Sequence, residues 1–79
     1  MDYHQLSQEF KRLRRESGYS QQRMAEHLCI SRATINAFEN GRASDIGLKK
    51  FLLLIDYLDK RLVIKDRSPF PTLDDLRNE

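Results

Sequence analysis

Apolar residues recur at helical spacing along most of this chain and change period once, near its end. Over residues 3–17, Tyr3, Leu6, Phe10 and Leu13 fall on one face of a predicted helix. Lys11, Arg12, Arg14 and Arg15 crowd its last turns, reading either as solvated charge that suits the negative end of the helix dipole or as phosphate contacts, and Gly18 stands at the C-cap. Residues 20–42, SQQRMAEHLCISRATINAFENGR, predict a helix, a tight turn and a second helix ending at Gly41. Ser20 and Ser31 sit at the two N-cap positions. Met24, Ala25 and Leu28 share a face on the first of these helices, and Ile35 and Phe38 on the second. Ile30 lies in the turn, so both helices can share one small core.

Beyond the linker Arg42-Ala43-Ser44, Asp45 is a plausible N-cap for a fourth helix over 46–59. Leu48, Phe51, Leu52, Ile55 and Leu58 make one stripe, and Leu53, Leu54 and Tyr57 widen it. A helix apolar over most of its circumference is buried from more than one side. A chain of 79 residues has little with which to cover it, so a second subunit is the economical answer. At 61–65, Arg-Leu-Val-Ile-Lys, the period shortens to that of a strand. A lone strand needs a partner, and the simplest is its own copy across a two-fold axis. Leu53, Tyr57, Leu62, Val63 and Ile64 are then the expected dimerisation residues. The alternative is that 60–65 extends the preceding helix, with Leu62 continuing the Leu58 stripe.

The expected division is a folded domain over 1–66 and a flexible tail over 67–79. Pro69 and Pro71 block regular structure around Phe70, while Thr72 and Asp75 can cap a short helical turn. Phe70, Leu73 and Leu76 are apolar in an otherwise polar tail. Two readings stand: a frayed terminus, or a linear motif for a protein partner.

Composition narrows the classes. The net charge of +2 does not by itself argue for nucleic acid. Its distribution says more: residues 1–44 carry seven Lys/Arg against five Asp/Glu, and residues 68–79 one Arg against three acids. A basic body suits a polyanion; an ordinary mixed surface fits the same count. No apolar run reaches membrane-spanning length, and Met1-Asp2-Tyr3-His4-Gln5 shows no secretory order. One cysteine cannot form an internal disulfide, which suits a cytoplasmic location. His4, His27 and Cys29 lack metal-ligand spacing, the three glycines form no phosphate loop, and nothing marks a nucleophile. Neither catalysis nor a cofactor is expected. His27 reads as a surface or interface residue.

The outward positions of the second motif helix are Arg32, Ala33, Asn36 and Ala37. A short helix with polar, basic and small outward residues is what a major groove admits. The expected DNA-binding set is Gln21, Gln22, Ser31, Arg32, Ala33, Thr34, Asn36, Asn40 and Arg42. Within it Gln21 lies at a helix N-terminus, against phosphate or a flanking base. Arg32 and Asn36 reach base edges, and Ala33 and Thr34 lie against groove wall, thymine methyl or phosphate.

Gln21, Ala25 four residues on, Ile30 closing the turn, the run Ser31-Arg32-Ala33-Thr34-Ile35, and Phe38-Glu39-Asn40-Gly41 resemble the helix-turn-helix of lambdoid phage repressors, Cro and Xre-type bacterial regulators. The turn position usually held by Gly is Cys29, where a left-handed backbone costs on the order of 1 kcal/mol. The resemblance implies that Arg14 pairs with Glu39 at the end of the recognition helix. Residues 48–64, LKKFLLLIDYLDKRLVI, are similar to the end of HipB-type antitoxins, where a hydrophobic helix leads into one β-strand. This implies a mainly α fold: a four-helix lambda-repressor-like domain followed by one C-terminal β-strand that pairs across a homodimer. It further implies a palindromic DNA operator, repression of the protein's own operon, and a HipA-like serine/threonine kinase toxin as partner. Phe70, Leu73 and Leu76 are candidates for toxin contact. Two alternatives are a stand-alone Xre-type or prophage repressor, and a protein-interaction module that has lost DNA recognition. The second should lack Gln21, Gln22, Arg32 and Asn36, and all four are present.

Overall fold

Asp2 starts the first helix. Its carboxylate accepts from the backbone N–H of Gln5 at 2.7 Å, and the Gln5 side chain accepts from the Asp2 N–H at 3.0 Å, a reciprocal capping box. The computed structural model describes residues 1–43 and 45–67 of the chain. Within them lie four helices: α1 (Tyr3–Ser17), α2 (Gln21–Leu28), α3 (Arg32–Glu39) and α4 (Leu48–Tyr57). Ser20 and Ser31 cap α2 and α3 as the sequence predicts, each hydroxyl accepting from an N–H three residues on at 3.0 Å.

Three helices end alike. After α2, α3 and α4 a residue enters the left-handed region: Cys29 at φ 56°, Gly41 at φ 68° and Asp59 at φ 60°. The next N–H then bonds back across the turn: Ile30 to the Ala25 carbonyl at 3.2 Å, Arg42 to Ala37 at 2.8 Å, and Lys60 to Ile55 at 3.0 Å. These are Schellman closures, which satisfy carbonyls a helix end would otherwise leave open. At Gly41 the requirement for glycine is double, since a Cβ would also lie 3.2 Å from the His4 ring. Cys29 adopts the same turn without glycine, so the expected strain is real but local.

One core joins the helices. Phe10, Met24, Ala25, Ile30, Ile35, Phe38, Ile46, Phe51, Leu54, Ile55 and Leu58 are its buried apolar residues. Phe38 is the hub, with ring centroids 5.6 Å from Tyr3, 5.6 Å from Phe10 and 6.1 Å from Phe51. It thus ties α3 to both α1 and α4. Ser7, which the apolar pattern passed over, is fully buried and donates to the His4 carbonyl at 2.8 Å.

The fourth helix corrects the sequence expectation in three ways. It spans Leu48–Tyr57, not 46–59. Gly47, at φ 88°, holds the chain out of the helix, so Asp45 does not cap it and instead accepts from the Gly47 N–H at 2.8 Å. Ile46 is buried as a loop residue, its N–H donating to the Tyr3 hydroxyl at 2.9 Å. The buried stripe is Phe51, Leu54, Ile55 and Leu58; Leu48 and Leu52 lie outside it, 66% and 40% exposed. Apolar residues on nearly every side gave the sequence no unique phase, and packing against α2 sets it.

Asp59 also decides how the chain continues. Its left-handed turn stops the helix, so 60–65 does not extend it. Residues 61–67 form no regular element within the single chain. Ser44 and the tail from residue 68, with Phe70, Leu73 and Leu76, lie outside the described residues. Among those described, no helix is long and apolar enough to cross a membrane.

Candidate nucleic-acid interface

The candidate surface is built from a buried ion pair outward. Glu39, in the last turn of α3, is fully buried. Arg14 of α1 grips it with two bonds, Nε to Oε2 at 2.5 Å and Nη2 to Oε1 at 2.8 Å. The third guanidinium nitrogen donates to the Tyr19 carbonyl at 2.8 Å. The contact implied by family resemblance is therefore present. Its hydrogen bond to Glu39 raises the Arg14 guanidinium above its ordinary range; burial opposes this and the neighbouring charge reinforces it. A raised cation stays charged at every pH below its ordinary value, so it holds Glu39 throughout the neutral range.

Glu39 then orders Gln21. The Gln21 amide donates to Glu39 Oε1 at 3.1 Å and accepts from Asn36 Nδ2 at 3.2 Å. Asn36 Oδ1 in turn accepts from Arg42 Nη2 at 2.8 Å and from Asn40 Nδ2 at 3.2 Å. Asn40 is also the C-cap residue of α3, and its side chain donates to the Asn36 carbonyl at 2.9 Å. One continuous chain of bonds thus runs from the core, through Gln21 at the start of α2, to the polar face of α3. It joins four of the nine expected contact residues and fixes their rotamers before any ligand arrives.

The rest stand around this network. Ser31, Arg32 and Ala33 are exposed at the start of α3, and Thr34 is half-buried, its hydroxyl 2.7 Å from that of Ser31. Gln22 is exposed on α2 and donates to Glu26 at 2.8 Å, so it stands apart from the Asn36 network. Beside α3 lies an open depression of about 480 Å³ lined by Ala33, Thr34, Ala37, Arg42, Ala43, Asp45 and Ile46. Lys50, from the first turn of α4, lines the same depression. Nothing in the local sequence around Lys50 says that it lies near α3.

The expected dimerisation residues divide. Leu53, Leu62, Val63 and Ile64 are exposed, between 47% and 91%. Of these, Leu53 and Leu62 line an open groove of about 590 Å³ together with Lys49, Leu52, Ile55, Asp56, Lys60 and Arg61. Tyr57 packs inside its own chain, its ring edge-on to Tyr19 at 5.0 Å and its hydroxyl 2.6 Å from His27 Nδ1. His27 is exposed, and this bond ties α2 to α4. Among the described residues, no group of three or more His, Cys, Asp or Glu side chains is arranged to hold a metal ion.

A capped two-turn helix, held by a buried carboxylate and offering Arg32, Ala33 and Asn36, has the size and polarity of a major-groove reader. No curated protein and no solved structure matches the chain. A family model described as helix-turn-helix, HTH_3, matches residues 10–64, from the middle of α1 to beyond α4. The chain belongs to this helix-turn-helix family of DNA-binding regulators.

Proposed function

We propose that the protein is a homodimeric, sequence-specific repressor acting as the antitoxin of a HipBA-like toxin–antitoxin system. The observation that carries the DNA reading is the bonded series from Arg14 through Glu39 and Gln21 to Asn36. Such pre-ordering reduces the entropy lost when a side chain engages a base. Arg32 and Asn36 read base edges. Gln21, Gln22, Ser31, Thr34, Asn40 and Arg42 fix the register on the backbone, and Ala33 lets α3 approach closely.

Residues 1–66 act as the folded domain in this reading. The exposed Leu53 and the run Leu62-Val63-Ile64 support dimerisation, with residues 61–65 pairing as antiparallel strands across the two-fold axis. The helix-then-strand likeness to HipB-type antitoxins supports a HipA-like kinase toxin as partner. Phe70, Leu73 and Leu76 of the 67–79 tail contact that toxin. The protein works in the cytoplasm, on a palindromic operator ahead of its own gene.

Arg32→Ala tests the DNA part. It should cost about 1–3 kcal/mol on the cognate duplex and relax one base position. Equal loss on cognate and random DNA would make Arg32 a phosphate contact. For the partner, a kinase-like reading frame adjacent to this gene should encode a protein that co-purifies with the full chain. Co-purification unchanged by deleting 68–79 would remove the tail from that contact.

A further inference from the structure

The helix α1 carries four cations in five residues: Lys11, Arg12, Arg14 and Arg15. The structure separates them by use. Arg14 is taken up by Glu39 and the Tyr19 carbonyl. Arg12 lies between two carboxylates, bonded to Glu9 and, at 2.7 Å, to Glu16. Lys11 and Arg15 meet no carboxylate among the described residues. Four positions apart, they stand on the same side of α1, with Gln8 one turn before them.

That side adjoins the end of the recognition helix. Gln8 Nε2 donates to the Glu39 carbonyl at 3.4 Å, and Lys11 Nζ donates to Asn40 Oδ1 at 3.5 Å. Asn40 is bonded in turn to Asn36. Lys11 is therefore one side chain removed from the residue proposed to read bases. Gln8, Lys11 and Arg15 also line one open depression of about 290 Å³, together with Arg12 and Glu16, the carboxylate of which is bonded to Arg12.

We infer that Gln8, Lys11 and Arg15 form a phosphate-binding strip on α1, continuous with the recognition surface, that holds the backbone of the same duplex. This rests on the DNA reading above and extends its footprint past α3. The competing role for Arg15 is structural, since it lies in the last turn of α1, where a cation steadies the helix end. The two roles have different signatures. A phosphate contact releases counterions and steepens the salt dependence of binding; a dipole contact changes only folding stability.

The test measures duplex affinity of the full chain against salt, on a cognate and on a random duplex. Lys11→Gln and Arg15→Gln each remove one contact per subunit, so each should reduce the slope of log K against log salt by about two for the bound dimer, and weaken both duplexes alike. Arg15→Lys should retain the slope, and Arg12→Gln, already neutralised in place, should leave it unchanged. Unchanged slopes in the Lys11 and Arg15 variants, with or without a lower unfolding midpoint, would overturn the strip while leaving the repressor reading intact. Losses confined to the cognate duplex would overturn it too. A wild type that binds all duplexes equally, with slopes falling as stated, would support the strip and overturn sequence-specific repression. Wild type that binds no duplex overturns both.

Discussion

Removing Arg14 should cost far more than removing an ordinary surface ion pair. In Arg14→Met the methylene stem is largely kept and the guanidinium lost. Glu39 stays fully buried and keeps only the 3.1 Å bond from Gln21 in place of three. Breaking one side of a buried pair costs about 3–5 kcal/mol, because it strands a charge that water cannot reach. A domain of this length has a total stability of roughly 4–12 kcal/mol at the usual value per residue. Arg14→Met should therefore lose between about a quarter and all of the stability of the domain. Arg14→Met/Glu39→Leu removes both charges and should regain most of the loss, less about 1 kcal/mol for the bond Gln21 forfeits. The refolded double variant should still bind DNA poorly, since Gln21 and Asn36 lose the carboxylate that orients them. Urea unfolding followed by circular dichroism, at one fixed protein concentration for all variants, measures each quantity. A loss below about 1 kcal/mol in Arg14→Met, the range of an exposed pair, would refute the reasoning. So would a double-mutant cycle with no coupling.

Other variants probe separate links. Cys29→Gly should change stability by less than about 0.5 kcal/mol, because relief of the left-handed backbone is offset by the greater freedom of Gly when unfolded. Cys29→Val should lose more than about 1 kcal/mol, and thermal melts would separate the two. Ser31→Ala should lose about 0.5–2 kcal/mol through the α3 N-cap, and a titration on cognate duplex should show weaker binding as Thr34 loses its partner hydroxyl. Val63→Pro should weaken operator binding without touching the DNA-facing residues, by disrupting strand pairing. Sedimentation at micromolar concentration should show a dimeric wild type and a dissociated Val63→Pro; a monomeric wild type would contradict the dimer.

The fold was most legible where local chemistry decides it. Ser20, Ser31, Gly18 and Gly41 mark helix ends through caps and left-handed turns that need no knowledge of the rest of the chain. Arg14 and Glu39, 25 positions apart, were paired through a family likeness, because no local rule joins them. The start of α4 was misread because Asp45 makes a good cap in general; Gly47, two residues on, sends the backbone elsewhere. Its phase was misread because Leu48, Leu52, Leu53 and Leu54 offer no polar side to orient it. The candidate site followed the same division. Arg32 and Asn36 were visible as outward positions of one helix. The positions of Lys50 and Lys11 near α3 depend on how the helices pack, and periodicity within one helix carries no such information.

Selection from a pool of randomised duplexes, with the wild-type chain at moderate salt, tests sequence-specific reading by a dimer most directly. The account predicts enrichment of a two-fold symmetric motif, with half-sites centred about one helical turn, or 34 Å, apart. Recovery of no preferred sequence, or of a single half-site without a symmetric mate, would contradict it.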